Sequence, residues 1–309
     1  YAVDNIVDRR YSESLFPEIE SKGLDYKLFY EVKSNLTREE VRRLAAAGVV
    51  EIQPGIESLS SHVLQLMRKG VTAAQNVNLL RWATYYGIWV GWNILWGFPG
   101  EREQDYVDQA ALVRHLTHLM PPSMPGVRIV LERFSPLFTD RTSFPAEHVR
   151  AEASYAYVYP KGVDVEKVAY IFDYALEDTL PDRVYEELGA RLRAWVDAWG
   201  RASSAHDHGA ELGRPRRPTL TFAYSDDLLQ IADGRTEEPR SFAYEGAEAR
   251  LYKAAVDRPV RVATAAQRAG LAPADPSARQ LLERFCEEGL MMRDGEKYLA
   301  LALPATPGR

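Results

Sequence analysis

The chain has 309 residues, of which 46% are hydrophobic and 27% are charged, with a formal net charge of −6 and a pI near 5.7. This composition can form one large core plus a smaller unit, and its acidic balance argues against a protein built mainly to bind nucleic acid or anionic membranes. No apolar run approaches a membrane span, no signal peptide is visible, and the single cysteine suits a reducing compartment. We therefore expect a cytoplasmic protein.

Strands and helices alternate from residue 1 to about 140. Capping residues predict four helices, which run from Ser12 to Gly23, Thr37 to Gly48, Ser60 or Ser61 to Gly70, and Thr72 to Gly87. The apolar segments between helices predict strands at 27–34, 49–57, 89–97 and 127–134. Repeated strand–helix units with covered faces indicate a parallel sheet, here a partial (β/α) barrel of the TIM type.

The pattern changes after residue 140. A long connection to about 165 precedes a helical pattern from Val165 to about Gly200, broken by Pro181. A polar stretch near 202–218 is predicted to be flexible, and paired strands follow at 219–224 and 228–233. The last predicted elements are helices at 247–256, 262–269 and 277–288, then a hairpin turning at Asp294-Gly295.

This order predicts an α/β protein with three units. Residues 1–140 form the partial barrel, 141–245 form an α+β extension, and 246–309 form a winged-helix-like unit.

Polar side chains interrupt the strands that should be buried. Glu51, Gln53 and Glu57 recur at period two, and Asn93 lies in an otherwise apolar run. Buried carboxylates and amides are costly unless something binds them. Because open-sheet and barrel enzymes bind ligands at the carboxyl ends of their strands, these residues predict the rim of a cofactor site.

Several segments resemble one enzyme family over roughly residues 1–175. They are residues 1–8 (YAVDNIVD), 29–37 (FYEVKSNLT), 53–60 (QPGIESLS), 66–72 (LMRKGVT), 92–101 (WNILWGFPGE) and 133–136 (RFSP). These motifs resemble radical S-adenosylmethionine (SAM) enzymes, and within them the cobalamin-dependent C-methyltransferases that mature ribosomally made peptides of the RiPP or bacteriocin type.

The chain departs from that pattern in its cysteines. The family binds a [4Fe-4S] cluster through the three cysteines of a CxxxCxxC loop after the first barrel strand, whereas this chain has only Cys286, on an apolar helical stripe. The chain also begins at Tyr1, within the segment that resembles the second strand. We therefore expect a fragment that lacks the first strand, the cluster loop and the cobalamin domain, and that is inactive alone.

The resemblance implies a set of SAM-contacting residues. It places Glu57 and Ser58 near the ribose and amino-acid portions, the segment from Ile94 through Gly97 to Phe98 beside the adenine, and Asp4 and Asn5 at the amino group. It also implies that Arg133 contacts a carboxylate of SAM or of the substrate. The remaining predicted cofactor contacts are Glu31, Lys33, Gln53 and Asn93.

Structural alternatives exist for most of these residues. Glu57 to Ser60 could cap a helix, and the Gly97 to Glu101 segment could be a tight turn in which Glu101 favours the next helix start. Glu31 and Lys33 could form an exposed pair, and Arg133 could pair with Glu132 or a neighbour. No catalytic residue is assigned, because no residue is an obvious general base. No metal site is assigned either, because the His206-Asp207-His208 segment offers too few ligands.

The resemblance implies methylation of unactivated carbons in a precursor peptide, with SAM bound here and the ligands of the cluster and of cobalamin outside this chain. The expected partners are that peptide and a reductant for the cluster, not nucleic acid or a membrane. We also expect the hairpin edge at 291–301 to hold the peptide, unless the terminal unit only packs against the rest. The alternatives are peptide epimerisation, cyclisation or methylthio transfer, or a non-enzymatic winged-helix regulator.

Overall fold

The computed structural model describes residues 6–142, 144–204 and 217–306. Its first part alternates helices and strands. After a 3-10 turn at Arg9–Ser12, the elements are α1 (Leu15–Ser21), β1 (Leu28–Val32), α2 (Arg38–Ala46), β2 (Val49–Pro54), α3 (Ser61–Leu66), α4 (Ala73–Tyr86), β3 (Trp89–Val90), β4 (Leu95–Trp96), α5 (Glu103–Leu116), β5 (Val127–Arg128) and β6 (Leu131–Glu132).

Strands β1 to β5 pair in parallel, in one sheet of three strands and one of two, whereas β6 pairs antiparallel with a later strand. β2 pairs with β1 and β3, and β4 pairs with β5, each in parallel register. Backbone hydrogen bonds extend the pairing beyond these strands: the Val7 N–H donates to the Glu31 carbonyl, and the Leu95 N–H donates to the Glu57 carbonyl, both at 2.9 Å. The predicted parallel strand–helix units are therefore present, and the carboxyl ends of β1, β2 and β3 lie on one side.

Local capping residues determine where the helices begin and end. Capping boxes at Thr37–Glu40 and Thr72–Gln75 open α2 and α4 as predicted, and Gly87 closes α4 at a φ of +75°. The first helix differs from the prediction, because the 3-10 turn occupies 9–12 and α1 begins only at Leu15.

The middle of the chain corrects one prediction. It contains α6 (Pro136–Thr139), β7 (Glu147–Ala151), α7 (Tyr155–Val158), α8 (Val165–Val168), β8 (Ile171–Ala175) and α9 (Arg183–Ser204). The continuous helical pattern expected from Val165 is wrong, because β8 pairs antiparallel with both β6 and β7. The edges of β6 and β7 are both available for pairing, and the β-branched and aromatic residues of β8 favour extended backbone. The stretch predicted to be flexible lies largely outside the described residues.

The last part contains one mixed sheet, in which the last strand pairs in parallel, and one antiparallel sheet. Its elements are β9 (Leu220–Ser225), β10 (Leu228–Asp233), β11 (Arg240–Glu245), α10 (Gly246–Ala254), β12 (Val260–Arg261), α11 (Val262–Arg268), α12 (Pro276–Glu287), β13 (Met291–Asp294), β14 (Lys297–Ala300) and β15 (Leu303–Pro304). One sheet has the order β11-β10-β9-β15 and the other β12-β14-β13. The predicted strand pair is β9–β10, and β11 is an addition that the sequence did not indicate.

The carboxyl-terminal elements pack directly onto α4. The buried Arg81 guanidinium donates to the carbonyls of Val256 (2.8 Å), Leu301 (3.3 Å) and Ala302 (2.9 Å). The Asp294 carboxylate in the hairpin accepts from the Ala74 N–H, in the first turn of α4, at 2.9 Å. One hydrophobic core consequently continues from the parallel sheet into the carboxyl-terminal elements. None of the described helices combines the length and apolar character needed to span a membrane.

Candidate functional site

A cavity of about 780 Å³ lies at the carboxyl ends of β1, β2 and β3. Parallel pairing brings these strand ends together, since Glu31 of β1 lies opposite Gln53 of β2 in the register. Five residues predicted from sequence line it, namely Glu31, Lys33, Gln53, Glu57 and Asn93. The lining also includes Glu51, Arg68, Lys69, Trp92 and Ser123.

Several polar groups in this cavity lack partners. Within the described part of the chain, the side chains of Glu31, Lys33 and Gln53 make no hydrogen bond or ion pair. The Asn93 Oδ1 atom is buried and accepts no hydrogen bond from any described residue. Because most buried polar atoms in folded proteins are paired, an unpaired amide oxygen at a cavity indicates a place for a ligand donor.

Glu57 is held at the rim by a cation that the sequence analysis did not single out. Its carboxylate forms an ion pair with the Lys69 ammonium, and each side chain is about three-quarters buried. A Cβ atom on Gly55 would lie only 2.6 Å from Lys69 Nζ, so the missing side chain leaves room for this pair. The helix-cap alternative belongs instead to Ser60, whose hydroxyl accepts from the Val63 N–H at the start of α3.

Ser58 lies away from the cavity. It is fully buried, and its hydroxyl donates to Gln109 Oε1 of α5 at 3.0 Å. The same amide oxygen accepts from the Leu59 N–H at 2.8 Å. The structure therefore gives Ser58 a role in joining the β2 loop to α5, and its expected place beside SAM stays a prediction.

The Gly97 to Glu101 segment is a tight turn closed by its own acid. Gly97 has a φ of +94°, and its N–H donates to both Glu101 carboxylate oxygens at 3.0 Å. Tyr185 also donates to Glu101, at 3.0 Å. Glu101 does not start the next helix, because Asp105 accepts the Arg102 N–H there. Gly97 and Phe98 lie outside the cavity lining, and Phe98 packs in a separate hydrophobic cluster.

Arg133 is also engaged elsewhere. Its guanidinium donates to the carbonyls of Ala169 (2.6 Å) and Glu166 (2.5 Å), and it lies over the Phe172 ring. The partners are backbone carbonyls rather than the Glu132 carboxylate, and the expected contact with a carboxylate of SAM or of the substrate stays a prediction.

The remaining sequence predictions concern the first residues of the chain, a histidine-containing segment and the single cysteine. Asp4, Asn5 and the His206 to His208 segment lie outside the described residues. Burial raises the pKa of the Cys286 thiol to about 12, so that side chain is protonated at neutral pH. Among the described residues, no group of three or more histidine, cysteine or acidic side chains could hold a metal ion.

One family model matches the part of the chain that contains these strands. Residues 6–113 match the family model described as Radical SAM superfamily. No curated protein sequence matches the chain.

Two solved structures of the cobalamin-dependent S-adenosylmethionine radical enzyme OxsB are similar to this chain. The structure with aqua-cobalamin bound is 14% identical with a TM-score of 0.41, and the structure with aqua-cobalamin and S-adenosylmethionine is 13% identical with a TM-score of 0.40. Each similarity covers 64% of this chain and 34% of the OxsB chain, so the chain spans about a third of that enzyme. The residues that match the Radical SAM superfamily model, 6–113, include the ends of β1, β2 and β3.

Proposed function

We propose that the cavity binds SAM and that the chain supplies this site to an enzyme that methylates a ribosomally made peptide with cobalamin as a second cofactor. The observation that carries the SAM assignment is the buried, unpaired Asn93 oxygen at a cavity lined by strand ends of the radical SAM domain. Peptide methylation and cobalamin rest on the motif resemblance described above.

The charges of the lining suit SAM. SAM carries an ammonium and a carboxylate at one end, a sulfonium in the middle, and ribose hydroxyls and a flat base at the other. The Glu31 carboxylate matches its cationic groups and the Lys33 ammonium matches its carboxylate, while the Glu57–Lys69 ion pair lines the cavity beside them. Asn93 Oδ1 can accept from a hydroxyl or amine, while the buried Trp92 ring provides an apolar wall.

Bound SAM would supply the radical chemistry for which the superfamily is named. The residues of this chain would orient it and exclude water, since the strand ends fix their side chains and no general base is needed to remove a hydrogen atom. The chain does not fit the iron–sulfur cluster, because Cys286 is its one cysteine and is packed on α12. We therefore assign no step through the cluster to these residues.

We further propose that residues 246–309 form the winged-helix-like unit. The order from α10 to β14 is helix, strand, helix, helix and two strands, as in winged-helix folds. A nucleic-acid regulator is less well supported, because the α12 arginines are already paired, Arg279 with Glu296 (3.1 Å) and Arg284 with Glu248 (2.9 Å).

Saturation-transfer NMR with SAM tests the proposed site without requiring turnover. We expect a SAM signal with the 309-residue chain that S-adenosylhomocysteine displaces. Asn93→Leu should abolish it, because the variant keeps the approximate shape but removes the acceptor. Gln104→Leu, an exposed amide on α5, is the matched control and should keep the signal. A SAM signal as strong as that of the wild type in both Asn93→Leu and Glu57→Ala would contradict the assignment.

A further inference from the structure

Two further cavities continue from the SAM cavity along the loop between β1 and α2. A second cavity of about 450 Å³ shares Ile6 and Lys33 with the first. A third, of about 590 Å³, shares Asn35 and Leu36 with the second. The three spaces therefore adjoin one another and lead from the strand ends to the junction between α2, α4 and the carboxyl-terminal elements.

The middle cavity is lined by apolar and polar residues in equal number. Its apolar residues are Ile6, Val7, Phe16, Leu36 and Leu44, and its polar residues are Asp8, Ser12, Lys33, Asn35 and Glu40. It can therefore accommodate an apolar side chain of an extended ligand.

The third cavity, which we call the basic cleft, is lined by residues 35–39, Gln75, Asn78, residues 257–259, Arg268 and Lys297. Both of its acids already have cationic partners, since Asp257 pairs with Arg38 at 2.9 Å and Glu39 pairs with two arginines of α2. Three cations remain without a carboxylate partner in the described part of the chain, namely Arg258, Arg268 and Lys297. Arg268 donates only to the Ala254 carbonyl, at 3.0 Å.

This excess of positive charge is local. The whole chain carries a formal net charge of −6, so a cleft with three unneutralised cations differs from the average surface. Grouped cations of this kind attract anions and give specificity to a charged ligand.

We propose that the basic cleft binds an acidic segment of the peptide whose modified residue occupies the SAM cavity, an inference that rests on the proposed function. The apolar residues of the middle cavity favour a peptide over nucleic acid, because a peptide can separate its acidic residues from an apolar side chain, whereas a nucleic acid carries a phosphate at every nucleotide. The cleft lies on the β12 side of the three-stranded sheet, so it differs from the hairpin edge expected from sequence.

The length of the connecting loop limits the spacing within such a peptide. Residues 33–37 border all three cavities and span at most ~14 Å when extended. The acidic segment should therefore begin roughly four residues from the modified position, since an extended peptide advances at about the same rate.

Fluorescence anisotropy with two labelled peptides tests the cleft. One peptide carries a leucine run followed by a glutamate run, and the other carries glutamines in place of the glutamates. We expect the 309-residue chain to bind the first and not the second. The double variant Arg258→Glu with Lys297→Glu should weaken binding about tenfold, equivalent to ~1.4 kcal/mol. Lys161→Glu with Arg193→Glu makes the same charge change at exposed positions outside the cleft and should leave the affinity within about twofold.

Three outcomes would overturn the inference. They are absence of binding by the glutamate peptide, equal weakening by both double variants, or displacement of the peptide by a single-stranded oligonucleotide at lower concentration than by unlabelled peptide. The saturation-transfer NMR measurement with SAM is made separately on the same proteins. Bound SAM without peptide binding would reject the basic cleft alone, whereas peptide binding without SAM would reject the proposed cofactor site.

Discussion

The buried polar groups around Asp233 and those around Asn93 differ in how completely they are paired. Asp233 is fully buried and accepts from Arg235, through Nε and Nη2 at 2.8 Å each, and from Arg240 at 2.6 Å. Asn93 lies at the end of parallel strands, and its carbonyl oxygen has no partner among the described residues. A satisfied buried group stabilises the fold, whereas an unsatisfied one at a cavity indicates a ligand.

The electrostatics of the two regions agree with this difference. Burial alone raises the pKa of Asp233, but the hydrogen bonds and charge of Arg235 outweigh it and hold the pKa below its ordinary value of 3.8. Arg235 in turn donates to the carbonyls of His115 (2.7 Å) and Gly289 (2.9 Å), which joins α5 to the end of α12. Loss of the acid would therefore affect two elements that pack together.

The largest effect should come from breaking the Asp233 network. Asp233→Ala leaves the buried Arg235 charge unpaired, and we expect it to lower the free energy of unfolding by ~3–5 kcal/mol in urea denaturation. Asp182→Ala removes an exposed carboxylate paired with Arg128 and is the control, with little expected change. Wild-type-like stability in Asp233→Ala would show that the network does not hold the fold.

A somewhat smaller effect is expected at Arg81. Arg81→Met keeps the packing volume but leaves the carbonyls of Val256, Leu301 and Ala302 without their donor, which should cost about 2–4 kcal/mol. Hydrogen exchange should rise in β14 and β15, because these carbonyls join the carboxyl-terminal elements to α4. Faster exchange in β1 and β2 instead would mean that Arg81 supports the parallel sheet.

His118 is intermediate between the Asp233 and Asn93 regions in how completely its polar atoms are paired. Its Nε2 bonds with the Leu301 carbonyl at 3.0 Å, while its buried Nδ1 has no partner among the described residues. Burial, followed by the charge of Arg235, lowers its pKa to about 3 from the ordinary 6.5. As the pH falls below 6.5, the unfolded chain binds a proton that the folded chain does not, so stability declines, by ~2 kcal/mol near pH 5.

The test of this pH effect compares urea denaturation of the wild type and His118→Gln near pH 7.5 and pH 5. The difference in stability between the two pH values should be smaller in the variant by the amount that His118 contributes. An unchanged pH dependence would assign the loss of stability to other groups.

The smallest change in stability is expected at Asn93. Because its oxygen has no hydrogen bond to lose, Asn93→Leu should leave the free energy of unfolding within about 0.5 kcal/mol, or raise it. A loss comparable to that of Asp233→Ala would show that Asn93 is a structural residue and would remove the comparison on which its assignment rests.

The sequence predicted the features that depend on neighbouring residues. The Thr37–Glu40 and Thr72–Gln75 boxes each bring donor and acceptor within three positions, so the helix starts followed directly from the residue types. Period-two polar residues likewise predicted that Glu51, Gln53 and Glu57 lie at the rim of one site, and all three line the cavity at the strand ends.

Positions that depend on distant partners were not predicted. Ser58 and Glu101 each follow a strand end in a cofactor-like motif, yet both side chains already have hydrogen-bond partners. The Ser58 hydroxyl donates to Gln109, and the Glu101 carboxylate accepts from the Gly97 N–H. The strand at 171–175 was missed for the same reason, since its pairing partners are supplied by segments near 131 and 150.

The sequence by itself thus determined the order of strand–helix units, the helix ends and the set of residues that could reach the carboxyl edge, because these depend on short-range chemistry and periodicity. Only the tertiary structure decided which of those side chains are already satisfied, which cation pairs with Glu57, and that three cavities adjoin one another. The physical reason is that a hydrogen bond requires an approach within about 3 Å, and for residues far apart in the chain that approach depends on the packing of the whole fold.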